Sequence, residues 1–284
     1  MMSKIKVFTD STADLSKELL EKYDISVIPL YIVLNDVSYR DGVDLTTKEM
    51  YQLVQEHQVL PKTSAPTVED FKSAFRPWVQ KGYDVIYMGL SSELSVTYQS
   101  ACLAAQELDK DKIHIIDSLN LSTGIGLLVL EAAEMVQQGM DAKSIVKKIK
   151  EDVPKVRSSF FIDTLKFLHM GGRCSSVQML AGTVLRIRPQ IIVQNGGMIV
   201  GSKYRGNRKR CLDGFYQDHV GTSTGLRLNR VFISHSACPL EEVEYLKNKL
   251  QSQFQIEEIL VTEAGMVISS HCGPKTIGIL YMED

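Results

Sequence analysis

The chain has no long apolar run. Its best short stretch, Ile125–Leu130, falls far below the roughly 18 residues a membrane-spanning helix needs, so no transmembrane segment is expected. The start, Met1-Met2-Ser3-Lys4-Ile5-Lys6, lacks the apolar centre and small-residue cleavage site of a secretory signal. Cysteine is sparse and odd in number: five residues, at positions 102, 174, 211, 238 and 272, with no Cys-x-x-Cys pair. That argues against structural zinc and a redox dithiol, and fits a reduced, cytoplasmic protein. No charge excess exists either. With 32 basic and 34 acidic residues the net charge is −2, and no global field attracts nucleic acid.

Several catalytic signatures are missing as well. Gly89-Leu90-Ser91-Ser92-Glu93 lacks the final glycine of a nucleophile elbow. Gly124-Ile125-Gly126-Leu127-Leu128-Val129 lacks the third glycine of a dinucleotide fingerprint and lies inside a helical pattern. No phosphate-loop lysine motif occurs, and the histidines lack metal-ligand spacing. Neither metal nor cofactor is expected.

What is present is a core-rich α/β pattern. Apolar residues make up 44% of 284, enough for one large domain or two ordinary ones. Ile5–Thr9 reads as a first strand, Ser26–Val33 as a second, and Asp14 as the cap of a helix from Leu15 to about Lys22. Thr46-Thr47-Lys48-Glu49 has capping-box spacing and opens a helix to about Gln58. Helices near Val68–Gln80, Leu94–Leu108 and Ser122–Gln138 alternate with strands Asp84–Leu90 and Lys112–Asp117. A further helix spans Ala142–Asp152. Such alternation predicts βαβ units and a mostly parallel sheet.

Beyond Pro154 the order changes. Ser158–Ile162 reads as a strand, Thr164–His169 and Ser176–Val184 as helices. Gln190–Gln194 and Met198–Lys203 form an antiparallel pair about Asn195-Gly196-Gly197. Two αβ-like units close the chain: Val231–His235, helix Leu240–Gln251, strand Glu257–Val261, a short helix and Thr276–Tyr281. The expected fold class is α/β in two domains, 1–154 with a mostly parallel sheet flanked by helices and 155–284 as a mixed α/β lobe, with a cleft between them.

Polar groups concentrate at strand ends, where open α/β sheets bind ligands: Asp10-Ser11-Thr12, Ser91-Ser92 and Asp117-Ser118. Each alone reads first as a helix cap. Ser91, Ser92, Ser95 and Thr97 together exceed what one cap requires, and Thr63 and Ser64 add donors ahead of a helix start that favours an anion. Gly171-Gly172-Arg173 offers a tight turn followed by a guanidinium, either for an anion or simply for solvent. His271, before Gly273-Pro274, is a donor or a structural imidazole. Lys203, Arg205, Arg208, Lys209 and Arg210 form a basic patch, either a solvated face or a dock for an acidic partner or anionic lipid. Met170 and Met179 are candidates for core or for an adaptable apolar wall.

Taken in order, these segments resemble the DegV family, the fatty-acid-binding proteins of bacterial fatty acid kinase systems. Asp10-Ser11-Thr12-Ala13-Asp14-Leu15 is similar to the family's opening motif. Thr63-Ser64-Ala65-Pro66-Thr67 resembles its Thr-Ser-Gln-Pro signature, with Ala65 in the glutamine's place. Ser91 through Ala101 resembles its Ser-x-Leu-Ser-Gly-Thr-Tyr-Gln segment, with Val96 in the glycine's place. Gly171-Gly172-Arg173 and His271-x-Gly273-Pro274 complete the pattern. The resemblance implies a long-chain fatty acid buried between two lobes, whose carboxyl a separate fatty acid kinase converts to an acyl-phosphate for phospholipid synthesis. Thr63, Ser64, Ser95, Thr97, Arg173 and His271 become ligand-binding candidates. Within that set the resemblance implies Thr63 and Ser95 as donors to the carboxylate and Arg173 as a nearby charge. Arg205 becomes the candidate kinase contact, and transient membrane contact is compatible with such a carrier. The chain itself is then no enzyme. The alternative is a stand-alone hydrolase or phosphotransferase using Asp10, Asp117 and His271.

Overall fold

In the computed structural model, which describes residues 4–174 and 187–284, Ile5–Asp10 (β1) is buried at every residue after Ile5. It runs parallel between Ile25–Ile28 (β2) and Asp84–Gly89 (β6), and β6 pairs in parallel with Ile113–Asp117 (β7). Side chains alternate across this sheet as strand geometry requires. Phe8, Val85 and Tyr87 face the helices Val68–Gln80 (α3) and Thr97–Leu108 (α4), meeting Phe71, Phe75, Ala101 and Ala104. Val7, Ile86 and Met88 face the other way, toward Thr123–Gln137 (α5).

A helix that is apolar all round belongs in an interior, and α5 is one. Every residue from Thr123 to Leu130 is buried. One side of α5 packs on the parallel sheet. The other shares a core with Phe160, Phe232, Leu280 and Met282 of a second sheet. That six-stranded sheet comprises Val156–Phe161 (β8), Arg188–Gln194 (β9), Gly197–Tyr204 (β10), Leu226–Ser236 (β11), Glu258–Glu263 (β12) and Thr276–Glu283 (β13). Its order is β10-β9-β8-β13-β11-β12, antiparallel except for β11 with β12. Arg208–Tyr216 (α8) and Leu240–Gln253 (α9) cover its far face, where Phe215, Leu246 and Leu250 meet Phe161, Ile233 and Ile279. The architecture is therefore α/β, with a parallel sheet in the first part and a mixed sheet in the second.

Local differences from expectation have local causes. Ser26–Val33 is two strands, because Pro29 offers no N–H to continue the ladder. After Pro29 the chain enters a separate three-stranded antiparallel sheet, Val37–Arg40 (β4), Tyr31–Leu34 (β3) and Lys62–Ser64 (β5), in the order β4-β3-β5. Asn35 and Asp36 turn the β3–β4 hairpin at positive φ, 49° and 61°. The hairpin at Asn195-Gly196 forms as expected, with Gly197 already paired to Gln194. Asp14 does not cap the helix that follows it: Ser16 does, accepting from Leu19 N, and Lys17–Lys22 (α1) starts later. Asp14 is instead buried at φ 50°. Thr47–His57 (α2), with its capping box, and Ala142–Asp152 (α6) follow expectation. Lys166–Gly171 (α7) and Met266–Cys272 (α10) are the two short helices that reach the cavity. The helix expected at Ser176–Val184, and Met179 with it, lies outside the described residues. Met170 is 64% exposed and is neither core nor cavity wall.

Candidate lipid-binding site

A cavity of about 530 Å³ opens among α10, α7, the ends of β6 and β7, and the inner face of the second sheet. Its walls are mainly apolar: Leu30, Leu90, Leu94 and Leu121 from the first half of the chain, Phe160, Leu168, Met198, Val267 and Leu280 from the second. That size and lining suit a small organic ligand with a long apolar part.

One end is polar, and sheet register builds it. β5 pairs with β3 so that Thr63 lies opposite Ile32, which is fully buried. This fixes Thr63 where its Oγ1 meets His271 Nε2 at 3.0 Å. His271 sits in the last turn of α10, with Nδ1 buried and without a hydrogen-bond partner. Burial pushes His271 down to about 4, and the Arg173 guanidinium pushes the same way. The imidazole is therefore neutral, and an anion here meets dipoles before it meets a fixed charge.

Gly171 makes the seat for that ring. A Cβ on Gly171 would collide with His271 Nδ1. Gly172 then ends α7 at φ 67°, where glycine carries no steric penalty. Arg173 follows, exposed, lining the cavity and donating from Nη1 to Gly171 O at 2.7 Å.

Ser95 comes from the loop between β6 and α4, and lines the cavity. Its Oγ accepts from Thr97 N at 3.2 Å and lies 2.8 Å from Thr97 Oγ1. Thr97 itself is fully buried and lines no part of the cavity, so its place is behind Ser95. Ser64 reaches the cavity rim but is exposed, with its Oγ toward Ala65 O. The structure thus gathers Thr63, Ser95, Arg173 and His271 around one cavity, with Ser64 at the edge and Thr97 in support.

Arg205 lies apart, exposed between β10 and α8. Arg208 does not belong to a free basic face. It bonds Glu242 at 2.6 Å, Asp163 at 3.1 Å and Lys275 O at 2.6 Å. Sequence inspection also missed the serines of β11. Ser234 and Ser236 line the cavity wall, and each is already bonded, Ser234 to Thr123 and Ser236 to Tyr51 and Ser269. Two serines at strand period inside an apolar run were the available signal.

The hydrolase alternative finds no constellation. Asp10 is fully buried and accepts from Thr12 N, Thr12 Oγ1, Tyr87 Oη and Leu90 N. Burial raises its carboxyl despite those bonds. Asp117 accepts from Ser92 N and Leu119 N, and neither aspartate lines the cavity. Among the described residues no group of His, Cys, Asp and Glu could hold a metal ion. Among them, too, no helix is long and apolar enough to cross a membrane.

The sequence pattern of a family described as an uncharacterised protein of the DegV family matches residues 4–284. The chain belongs to the DegV family. A Thermotoga maritima relative named as a fatty acid-binding protein is 35% identical over 282 residues, covering 97% of this chain and 96% of its own. The structure of a DegV protein from Thermus thermophilus, described for its fatty acid binding, matches with a TM-score of 0.90 at 31% identity, over 99% of this chain and 100% of that one. A stearic acid-binding protein from Eubacterium ventriosum matches with a TM-score of 0.85 at 29% identity, over 99% and 98% of the two chains. Fatty acid binding thus recurs among DegV proteins sharing this fold.

Proposed function

We propose that this chain binds a long-chain fatty acid in the cavity and presents its carboxylate to a separate fatty acid kinase in the cytoplasm, then carries the acyl-phosphate product. The observation that carries the reading is one apolar cavity closing on hydroxyls backed by a neutral imidazole. The division of the chain near Pro154 into two halves that grip the ligand belongs to the same proposal.

The physics suits the task. Each buried methylene contributes about 0.8 kcal/mol, so a chain of roughly fifteen carbons supplies on the order of 12 kcal/mol before the costs of association. The head group must be satisfied, because an unpaired buried carboxylate costs several kcal/mol. With His271 Nε2–H donating to Thr63 Oγ1, the Thr63 hydroxyl proton is free for a carboxylate oxygen. With Thr97 donating to Ser95 Oγ, the Ser95 proton is likewise free. Both hydroxyls then act as donors, and neither adds a charge that would trap the product. Arg173, at the open side, faces the extra negative charge of an acyl-phosphate. Arg205 is the proposed kinase contact.

Organic extraction of the purified protein, followed by mass spectrometry, tests the first half of this reading. A stoichiometric acyl chain is expected. Repeated absence of one, even after incubation with palmitate, would overturn it. Acyl-phosphate should form only when a fatty acid kinase is added; turnover by the isolated chain would return the reading to a stand-alone enzyme.

A further inference from the structure

Helix α10 belongs by sequence to the second half of the chain, yet residues of the first half hold its start. Asp14 Oδ1 accepts from Gly265 N at 2.8 Å, and its Oδ2 accepts from Ser122 Oγ at 2.5 Å. Asp41 Oδ1 accepts from Met266 N at 2.7 Å. Both aspartates are buried, at 6% and 2% exposure. Neither lines the cavity. Gly265 admits them both: a Cβ there would stand 3.2 Å from Asp14 Oδ1 and 3.1 Å from Asp41 Oδ1. From α2, Thr47 Oγ1 donates to Ala264 O at 2.8 Å and Tyr51 Oη to Ser269 O at 3.1 Å.

We propose that Asp14 and Asp41 are positioning residues for the head-group site, clamping the start of α10 so that His271, at its other end, meets Thr63. The lever is short and stiff. His271 lies six positions after Gly265, about 9 Å along a helix. A tilt of about 10° at the anchored end would carry the imidazole roughly 1.5 Å, enough to break a 3.0 Å hydrogen bond. The amides at a helix start have no partner within the helix, so two carboxyl oxygens there both satisfy them and fix the axis. Burial holds Asp14 up to about 8 against its hydrogen bonds, so at neutral pH a neutral side chain of the same shape fits the contact.

The ligand part of this inference rests on the proposed function; the geometric part does not. The test uses the full chain carrying Asp14→Ala, Asp41→Ala, Asp14→Asn and Gly265→Ala. Palmitate affinity is measured by titration calorimetry, and the His271 ring by NMR across a pH series. Either alanine variant at an aspartate should weaken palmitate binding at least tenfold and move the His271 midpoint up toward that of a free imidazole. Asp14→Asn should restore both, since its oxygen can accept from Gly265 N and its amide can donate to Ser122 Oγ. Should the aspartate-to-alanine variants fail to fold, Gly265→Ala decides, because its backbone lies outside the left-handed region and only the clamp is crowded. Unchanged His271 signals in the folded variants would overturn the clamp, whatever happens to thermal stability. If the wild-type chain binds no palmitate while the His271 signals still respond, the clamp stands and the fatty-acid reading falls.

Discussion

The two ends of α10 are built on opposite plans. At its start, backbone amides meet buried carboxyl oxygens from Asp14 and Asp41, neither of which lines the cavity, and Asp41 Oδ2 alone is left without a partner. At its finish, His271 keeps Nε2 on Thr63 and leaves Nδ1 buried with no partner, beside the cavity. Buried polar groups normally find partners within the protein. Where they do, the protein is holding itself; where the hydroxyls of Thr63 and Ser95 keep hydrogen-bonding capacity at a cavity wall, the site suits something else. Under the proposed function the start does structural work and the finish ligand work, and each assignment can be broken separately.

The largest effect is expected at the ligand end. Thr63→Ala with Ser95→Ala removes both hydroxyls, each able to contribute about 1.5–3 kcal/mol to a charged acceptor. Palmitate affinity should fall by a hundredfold or more in calorimetry, with little change in melting temperature. Equal loss of stability and affinity would mean these residues hold the fold and not the ligand. Next comes Gly171→Ala, whose methyl would drive the His271 ring from its seat. Alanine suits a helix at that position, so the fold should persist while affinity drops roughly tenfold and the His271 NMR signals shift.

The same contrast predicts opposite pH dependences of stability. His271 is held down to about 4 from 6.5, so between those values the unfolded chain binds more protons and stability rises with pH. Buried His219, also down at about 4, adds to this. Asp14 is pushed up to about 8 from 3.8, so in that window the folded chain binds more protons and stability falls as pH rises. Asp41, raised to about 6, opposes the histidines lower down. Above pH 6.5 the histidine contributions are complete and Asp14 still acts. Unfolding free energy should therefore decline from about pH 6.5 to 8, with Asp14 contributing at most about 1.4 kcal/mol per pH unit. In Asp14→Asn that decline should become shallower by the Asp14 share. A wild-type curve that rises throughout this range would contradict the burial-raised carboxyl.

Much of this arrangement was legible in the sequence, and the illegible part has physical reasons. Capping-box spacing revealed α2, and the alternation of helical with strand patterns revealed α3, α5 and α6, because both are local signals. The hydroxyl clusters pointed to Thr63 and Ser95, and the motif order pointed to His271 and Arg173. Contacts between distant residues left no local trace. Asp14 looks like a cap until the fold brings Gly265, 251 positions later, onto its oxygen. Thr97 looks like a second ligand donor until its complete burial places it behind Ser95. Arg208 looks like part of a basic patch until Asp163 and Glu242 close on it. In each case the residue type was read correctly, and only three-dimensional register decided its partner.

The smallest expected effect is the most discriminating about how the open side of the site works. Arg173 is exposed, and its Nη1 bonds Gly171 O. An exposed cation contributes little and is screened by salt. Arg173→Ala should therefore cost only a few-fold in palmitate affinity, less at high ionic strength, while the His271 midpoint rises because a neighbouring positive charge has gone. Arg173→Lys keeps the charge and loses the planar fork. If lysine restores affinity, Arg173 acts through its field and the hydroxyls alone orient the carboxylate. If lysine behaves like alanine and the loss exceeds about thirtyfold, the guanidinium forks onto the head group directly. The polar end would then be a closed site completed by Arg173, and the division between a clamped end and a ligand-facing end would extend beyond α10 to the turn that follows α7.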